Sequence, residues 1–240
     1  MNLIMAHRGW SSRAPENTLA AIKLAVDEDW IHSIEIDVQL TRDEVPVIIH
    51  DFRVERTTNG VGLVKELTLN KLRELDAGSW FSSNFRSEKI PTLEEVLKLC
   101  KGRKRINLEL KTAGDMYKGL AEKVVQLVEQ FQMEKEVIIT SFDHEKVKQV
   151  RQLTSNIETG LIIEGNPPLL DEQLQYVGAN TISMSFLFIT PSFVEDHLNQ
   201  ERKIVVWTPN SPEEINFVKQ MSEKIEICTN YPDRVLREFP

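Results

Sequence analysis

Short apolar segments alternate with amphipathic helical stretches along almost the whole chain, and this alternation most limits the possible folds. The apolar segments have the length and residue types of strands, and the stretches between them carry apolar residues at helical spacing. Such alternation is typical of a parallel sheet in an α/β protein. The predicted strands are Leu3–Ala6, Ile34–Val38, Pro46–His50, Ile106–Leu110, Val137–Ser141, Gly160–Ile163, Thr181–Met184, Ile204–Trp207 and Ile225–Thr229.

The third of these segments lies too close to the second to run parallel to it. Only seven residues separate them, whereas a parallel crossover needs a dozen or more. We therefore predict an antiparallel return strand after a turn centred between Asp43 and Glu44, a register that would pair Asp37 with His50. Eight parallel strands remain, and they predict a TIM (β/α)8 barrel with a hairpin after its second strand.

The predicted barrel uses nearly all of the chain, so we expect one domain over residues 1–240. Residues 52–89 contain a turn, one short helix and a cluster of aromatic residues. This segment is too short and too poor in helix for a core of its own. We interpret it as a small insertion over one rim of the barrel.

Composition excludes several classes of protein. The chain has 29 Lys and Arg against 37 Asp and Glu, a net charge of −8, whereas nonspecific nucleic-acid binders carry a basic surface. Cys100 and Cys228 are far apart and form no zinc-binding or disulfide pattern. The sequence begins without a recognisable signal peptide and has no apolar run of about 20 residues. We expect a cytoplasmic protein without an integral membrane segment; the sequence leaves its oligomeric state open.

Ionisable residues interrupt the strands near their C-terminal ends, where barrel enzymes carry their reactive groups. Glu35 and Asp37 are two residues apart and therefore lie on one face of a strand. Glu109 and Lys111 repeat this spacing on the next barrel strand, so all four side chains point into the barrel mouth or all four point outward. Because parallel strands are covered outside and packed inside, a solvated strand face is less favoured here.

Three carboxylates that meet without a cation would repel one another. A hard divalent ion such as Mg²⁺ or Ca²⁺ is the simplest way to balance Glu35, Asp37 and Glu109. The sequence thus favours a metal site at the barrel mouth.

Two of the five histidines, His7 and His50, lie at strand ends beside charged residues. Imidazole titrates near neutral pH, so the pair is suited to general acid and base catalysis. Arg8 and Lys111 could bind a phosphate whose oxygens gain negative charge during a reaction. Trp207, at the end of another strand, is either a packing residue or a platform for a ligand. The remaining histidines are expected at the surface: His32, His144 and His197.

Ten short motifs, in this order, resemble those of the glycerophosphodiester phosphodiesterases, a family that shares a metal-dependent barrel with phosphatidylinositol-specific phospholipases C. Individually the motifs are weak, but ten in order are highly specific. They are His7-Arg8-Gly9, Pro15-Glu16-Asn17-Thr18, Glu35-Ile36-Asp37, His50-Asp51, Arg56-Thr57-Thr58-Asn59-Gly60, Leu75-Asp76-Ala77-Gly78-Ser79-Trp80-Phe81, Ile90-Pro91-Thr92-Leu93, Glu109-Leu110-Lys111, Ser141-Phe142 and Trp207-Thr208-Pro209-Asn210.

The resemblance implies metal-dependent hydrolysis of a glycerophosphodiester to sn-glycerol 3-phosphate and an alcohol. It implies that three carboxylates hold the metal, that two histidines act as general base and acid, and that two cations contact the phosphate. It also favours first attack by the glycerol hydroxyl, giving a cyclic phosphate that water then opens; residue chemistry alone does not separate this route from direct attack by water. The implied metal ligands are Glu35, Asp37 and Glu109. The implied general base and acid are His7 and His50, and the implied phosphate contacts are Arg8 and Lys111.

One position departs from the family pattern. The closing strand of family members usually ends Thr-Asp-x-Pro, whereas this chain has Asn230 in place of the Asp. Because Asn keeps a similar hydrogen-bonding shape, we expect a structural capping role and little loss of catalysis. The substitution argues against a catalytic role at this position.

Two other functions remain as alternatives. A lysophospholipase D-type activity would need an apolar slot, which Trp80, Phe81 and Phe85 could line, although these rings would equally pack the insertion against the barrel. A catalytically idle barrel that binds phosphodiesters would be favoured by loss of a carboxylate or a histidine from the site, and all five are present. A phosphate-binding isomerase barrel is disfavoured, because no Gly-rich loop follows the late strands.

Overall fold

The computed structural model of the protein describes residues 1–236, so the last four residues of the predicted domain lie outside it. Its strands are β1 (Leu3–His7), β2 (Ser33–Leu40), β3 (Pro46–Ile48), β4 (Arg105–Leu110), β5 (Val137–Ser141), β6 (Glu158–Ile163), β7 (Thr181–Ser185), β8 (Lys203–Trp207) and β9 (Glu226–Thr229). Its α-helices are α1 (Leu19–Val26), α2 (Leu69–Glu74), α3 (Leu93–Cys100), α4 (Leu120–Gln130), α5 (His144–Leu153), α6 (Leu170–Val177), α7 (Pro191–Asn199), α8 (Pro212–Lys219) and α9 (Pro232–Val235).

Eight of the strands form a closed parallel ring, which confirms the predicted TIM barrel. Strand β1 pairs with β9 on one side and with β2 on the other. Around the ring the order continues β2, β4, β5, β6, β7, β8 and β9. Strand β3 pairs antiparallel with β2 outside the ring, as the short connection between them required. The C-terminal ends of the eight ring strands therefore meet at one mouth.

The hairpin between β2 and β3 has a register one residue different from the prediction. Val38 pairs with Ile48, and the backbone N–H of Ile49, not of His50, donates to the carbonyl of Asp37 at 3.0 Å. The turn is centred on Asp43, and Glu44 adopts the left-handed conformation with φ of 61°. A left-handed residue that closes a three-residue loop is a common hairpin solution, and an odd loop length shifts the pairing by one.

The starts of several helices follow from local sequence. Capping boxes begin α3, with Thr92 and Glu95, and α8, with Ser211 and Glu214. In each box the N-cap hydroxyl and the acidic side chain exchange hydrogen bonds with free N–H groups of the first turn. Asp143 occupies the N-cap position of α5 without capping it, because its carboxylate accepts instead from the N–H of Gly114 at 3.1 Å.

The rim insertion packs on the hairpin rather than forming a core of its own. A small apolar cluster joins residues of the hairpin to Val54, Val64 and Leu72 of the insertion. The rings of Trp80, Phe81 and Phe85 pack edge to face on one another, with successive centroids 5.7 and 5.6 Å apart. The insertion is thus a cover fixed to one side of the barrel.

One prediction about the remaining histidines was wrong. His32 is exposed and His144 is partly so, but His197 is buried. Its ring packs on Phe193 with centroids 4.2 Å apart, and its Nδ1 lies 2.8 Å from Nη1 of Arg202. The helical position of His197 alone did not reveal which face of α7 meets the barrel.

Candidate active site

The predicted site residues come together at the C-terminal mouth of the barrel. A cavity of about 170 Å³ opens there. Seven of the eight predicted residues line it: His7, Arg8, Glu35, His50, Glu109, Lys111 and Trp207. The eighth, Asp37, is 1% exposed and contacts the guanidinium of Arg8.

Register brings the three carboxylates of the site together. Strands β2 and β4 are paired so that Asp37 lies beside Glu109, and Glu35 is two residues from Asp37 on the same face. All three side chains are buried. One oxygen from each can be chosen such that all three atoms lie within 4.8 Å of one another. The four side chains of the two strands therefore face inward, which was one of the two orientations that the sequence left open.

The acidic cluster contains more negative charge than the surrounding residues balance. Oε1 of Glu35 and Oδ1 of Asp37 are buried and have no hydrogen-bond partner among residues 1–236. Burial, and then repulsion by Asp37, raise the pKa of Glu35 well above its usual range. The same causes raise the pKa of Glu109 to about 7. Buried oxygens without donors, on three convergent carboxylates, are a donor set suited to a hard divalent cation.

Two cationic side chains partly compensate the cluster. Nζ of Lys111 lies 2.6 Å from Oε1 of Glu109 and 3.6 Å from Oδ1 of Asp37. Nε of Arg8 lies 3.3 Å from Oδ2 of Asp37. Burial by itself would raise the pKa of Asp37, but these two cations outweigh burial and lower it. Arg8 and Lys111 thus place positive charge at the edge of the carboxylate group.

Backbone conformation fixes Arg8 in place. Its φ is 58°, in the left-handed region that few residues other than glycine adopt. Its N–H donates to Oε2 of Glu35 at 3.0 Å, and its carbonyl accepts from the N–H of Asn17 at 3.0 Å. The following residue, Gly9, also has positive φ, and a Cβ there would lie 2.6 Å from the backbone of Ala21. Strain of this kind is often kept where function needs it.

His7 is held by its Nδ1 atom. This nitrogen lies 2.7 Å from Oδ1 of Asn230, an oxygen that is also within hydrogen-bond distance of the hydroxyl of Ser11. The other ring nitrogen, Nε2, lies 3.7 Å from Oε2 of Glu35. Burial, and then Arg8, lower the pKa of His7 to about 4, so the ring is neutral at pH 7. Asn230 therefore contacts a predicted catalytic residue. It does not cap α9, whose N-cap residue is Tyr231 and which has no side-chain cap hydrogen bond.

His50 is held in the same way, but by a carboxylate. Its Nδ1 lies 2.7 Å from Oδ1 of Asp51. The side-chain nitrogen of Gln39 lies 2.8–3.0 Å from the carbonyl oxygens of Ile49, His50 and Asp51, and its two N–H groups share these three acceptors. The hydroxyl of Tyr117 donates to Oε1 of Gln39 at 2.7 Å, which fixes the direction of that amide. The corner that carries His50 is thus rigid on its buried side.

Several residues at the site were not singled out from the sequence. Asn17 donates to Oδ2 of Asp37 at 2.7 Å, and Asn107 and Ser183 line the cavity. Asn107 lies two residues before Glu109 on β4, so the same spacing argument could have found it. Ser183 has no comparable signal, because it is one of many small polar residues on alternate strand positions.

Trp207 lies at the rim of the cavity beside Phe142. Their ring centroids are 5.7 Å apart in an edge-to-face arrangement. Nζ of Lys111 lies 5.5 Å from the centroid of Phe142. The two rings form an apolar wall next to the cationic edge of the site.

Comparison with known proteins assigns the chain to a family. Residues 7–234 match the glycerophosphoryl diester phosphodiesterase family. The chain belongs to this family. A glycerophosphodiester phosphodiesterase of Caldanaerobacter subterraneus is 36% identical over 214 residues, covering 89% of this chain and 88% of the relative. YhdW of Bacillus subtilis, by name a candidate glycerophosphodiester phosphodiesterase, is 39% identical over 244 residues, covering 98% of this chain and 97% of the relative.

A solved structure agrees with the family assignment. A phosphodiesterase of Oleispira antarctica, in complex with the product sn-glycerol-3-phosphate, superimposes with a TM-score of 0.91 and 29% identity. The match covers 98% of this chain and 95% of that one. The family consists of phosphoric diester hydrolases, so the chain is an enzyme of that class. Among residues 1–236, no helix has both the length and the apolar character needed to cross a membrane.

Proposed function

We propose that the protein hydrolyses glycerophosphodiesters to sn-glycerol 3-phosphate and an alcohol, by acid and base catalysis from His7 and His50 with a bound divalent cation. The observation that carries the proposal is the convergence of these two histidines, two cations and a group of three buried carboxylates at one barrel mouth, where all but Asp37 line the cavity. Such a set can bind a phosphodiester anion and transfer protons on both sides of it. The product bound to the Oleispira antarctica relative is the one expected here.

The metal site of the proposal consists of Glu35, Asp37 and Glu109. The ion would be Mg²⁺ or Ca²⁺, since all three ligands are hard oxygen donors. When bound, such an ion supplies positive charge that neutralises the phosphodiester and makes its phosphorus easier to attack. The unpartnered oxygens of Glu35 and Asp37 support this assignment.

Proton transfer is assigned to the Nε2 atoms, because Nδ1 of each histidine is already engaged. His7 is the general base: its pKa of about 4 keeps it neutral, and its Nδ1 partner is the uncharged amide of Asn230. His50 is assigned as the general acid, because the carboxylate of Asp51 at its Nδ1 favours the imidazolium form. Burial, above all, lowers the pKa of His50, and the hydrogen bond to Asp51 opposes this shift. His7 takes the proton of the attacking hydroxyl, and His50 gives a proton to the departing alcohol oxygen.

Arg8 and Lys111 bind the phosphate in this proposal. Both are already beside the acidic cluster, so a phosphate oxygen that approaches them also approaches the reacting centre. Charge-assisted hydrogen bonds to such oxygens strengthen as negative charge develops on them. Trp207 contributes an apolar face for the carbon atoms of the substrate. These contacts orient the diester between the two histidines.

We infer that the glycerol hydroxyl next to the phosphate attacks first and that water then opens a cyclic phosphate. The resemblance to the family favours this route. The attacking hydroxyl and the phosphorus belong to the same bound molecule, so the first step needs no separately positioned water. Rapid-quench ³¹P NMR tests it. A transient cyclic glycerophosphate is expected, and single-turnover release of sn-glycerol 3-phosphate with no cyclic species would overturn it.

One assay tests the proposed activity. The protein is incubated with glycerophosphocholine after treatment with a chelator, and Mg²⁺ or Ca²⁺ is then added back. We expect release of sn-glycerol 3-phosphate only when the metal is restored. No release at any metal concentration would reject the proposed activity and favour the idle, phosphodiester-binding barrel. Release that survives the chelator would reject the metal requirement alone.

A second candidate, hydrolysis of lysophospholipids, is favoured by a side cavity of about 580 Å³ that opens next to His50. Its walls include the apolar side chains of Phe52, Leu110 and Phe142. None of the insertion aromatics that the sequence offered for such a slot lines it. The same assay with lysophosphatidylcholine compares the two candidates: a higher kcat/KM for the lysolipid would favour the second.

We also propose that one domain over residues 1–240 carries this activity and that it acts in the cytoplasm. Nearly all of the described chain belongs to the barrel, its helices or the insertion packed on them. Both cysteines are buried and unpaired, which suits a reducing compartment. Limited proteolysis to a single resistant core and cell fractionation test the two proposals.

A further inference from the structure

Arg56, in the rim insertion, connects two carboxylates that each contact a residue of the proposed catalytic machinery. Its Nε and Nη2 donate to the two oxygens of Asp51 at 2.7 and 3.0 Å. Its Nη1 and Nη2 donate to the two oxygens of Glu16 at 2.8 Å each. One guanidinium thus makes two bidentate ion pairs, although its side chain is 44% exposed.

Each of these carboxylates also contacts the machinery. Oδ1 of Asp51 lies 2.7 Å from Nδ1 of His50. Oε1 of Glu16 accepts from Nη1 of Arg8 at 2.7 Å. An unbroken chain of charge-assisted contacts therefore runs from Arg8 to His50, and Arg56 is its central member.

This series of contacts from Arg8 to His50 also determines which nitrogen of His50 carries the proton. Hydrogen bonds from Arg56, above all, keep the pKa of Asp51 below its usual range, so this carboxylate is ionised and can only accept. Nδ1 of His50 must then be the donor, which leaves Nε2 directed away from Asp51 and available for proton transfer.

We propose that Arg56 is a positioning residue that holds His50 in its Nδ1–H tautomer through Asp51 and orients Arg8 through Glu16. This inference rests on the proposed function. It gives the rim insertion a catalytic role, because the insertion supplies the side chain that links Asp51, beside His50, to Glu16, beside Arg8.

Only arginine can make this connection. The planar guanidinium has five N–H donors in fixed directions, and four of them are used here. The ammonium group of lysine is a single point of charge and cannot face both carboxylates in bidentate pairs at once. Arg56→Lys should therefore keep the charge but lose the geometry.

The test compares Arg56→Gln and Arg56→Lys with a matched control, Arg73→Gln. Arg73 also belongs to the insertion and pairs with a single carboxylate, that of Glu95, away from the cavity. We expect kcat for glycerophosphocholine to fall about 10- to 100-fold in Arg56→Gln, since small losses of alignment have effects of this size. The kcat of Arg56→Lys should fall almost as far as that of Arg56→Gln, and the kcat of Arg73→Gln should match that of the wild type.

A double-mutant cycle separates positioning from a structural role. If Arg56 acts on kcat through Asp51, then Asp51→Asn with Arg56→Gln should lower kcat little more than Asp51→Asn does alone. Fully additive losses in kcat, or full recovery of kcat by Arg56→Lys, would overturn the proposal.

Imidazole ¹⁵N NMR gives a readout that does not require turnover. The His50 signals are assigned by their loss in His50→Gln. At a pH above the titration of His50, the neutral ring that remains after Nε2 has given up its proton should show Nδ1 protonated and Nε2 bare in the wild type. Arg56→Gln should show a mixture of the two neutral tautomers under the same conditions. An unchanged single tautomer in Arg56→Gln would overturn the proposal even if activity fell. Because this readout needs no substrate, failure of the proposed activity and failure of the Arg56 inference remain distinguishable.

Discussion

Both ends of the barrel carry charged side chains, but the charges are balanced differently at the two ends. At the N-terminal end, Glu158 accepts from Thr181 at 2.8 Å, from Lys203 at 2.6 Å and from Arg105 at 3.2 Å. Burial alone would raise the pKa of Glu158, but the hydrogen bonds from Lys203 and Thr181 outweigh burial and lower it. At the C-terminal mouth, Glu35 and Asp37 each keep a buried oxygen that has no hydrogen-bond donor within residues 1–236.

The difference shows how a structural charge cluster can be told from a functional one. In both places charged residues stand at the ends of barrel strands, and the sequence distinguishes them only by which end of the strand they occupy. A cluster that satisfies its own charges needs no ligand, whereas buried unbalanced carboxylates weaken the fold unless something else supplies the missing charge. This difference supports the proposed binding site at the mouth and indicates a structural role for the charges at the opposite end.

The largest expected difference between the ends is in catalysis. His50→Ala at the mouth should lower kcat at least about 100-fold, in the range typical of a general acid, with the fold intact. Lys203→Ala at the opposite end should leave kcat unchanged, because Lys203 contacts only the scaffold. Steady-state kinetics with circular dichroism checks both variants. Equal losses in the two would erase the functional distinction between the ends.

Metal binding should also distinguish the two ends. Mg²⁺ or Ca²⁺ should raise the Tm of the wild type, since a ligand that binds only the folded state stabilises it. Glu109→Ala removes one proposed ligand and should abolish most of that rise, while Glu158→Ala should keep it. Scanning calorimetry with metal titration measures the effect. A wild-type titration curve from Glu109→Ala would remove this residue from the proposed site.

Without metal, removing a carboxylate at the N-terminal end should lower the free energy of unfolding more than removing one at the mouth. Glu158→Ala leaves three donors without their acceptor and should lower the free energy of unfolding by about 1–2 kcal/mol, toward the low end because Glu158 is partly exposed. Glu109→Ala should cost less, because it also relieves repulsion with Asp37. Urea denaturation in chelator compares the two variants. A greater loss of stability in Glu109→Ala would contradict the view that the mouth is unbalanced.

The smallest expected effect concerns Glu226, which also lies at the N-terminal end. Unlike the pKa of Glu158, the pKa of Glu226 is raised. Burial raises the pKa of this carboxyl, although Ser33 donates to it. A raised pKa means that ionisation is less favourable in the folded state, so stability is lost as pH rises through the folded-state value. Glu226→Gln should therefore unfold a few degrees higher than the wild type at pH 8, with the gap closing toward pH 4. If the difference in Tm between Glu226→Gln and the wild type widened as pH falls, the pKa of Glu226 would not be raised in the folded state.

Much of the fold was predictable because its signals are local. Strand segments, the capping boxes of α3 and α8 and the antiparallel return of β3 all follow from residues close together in the chain. The hairpin register was off by one because it depends on Glu44 adopting a left-handed conformation, which no residue type there demanded. His197 was misplaced because its burial depends on which face of α7 meets the barrel.

The candidate site was predictable in its members but only partly in its contacts. Spacing along β2 and β4 put Glu35 with Asp37 and Glu109 with Lys111, and strand ends selected His7 and His50. The link from Asn230 to His7 spans 223 residues, and the link from Arg56 to Glu16 spans 40. No local pattern could indicate pairs formed by chain segments that meet only when the barrel closes.

The sequence by itself determined which elements form and which chemical groups stand at the strand ends, because periodicity, caps and turn lengths act over a few residues. Only the tertiary structure decided that the carboxylates face inward, that two of their oxygens lack donors, and that Arg56 joins Asp51 to Glu16. Burial and pairing depend on strand register and on the approach of distant segments. Those are properties of the closed barrel rather than of any stretch of its chain.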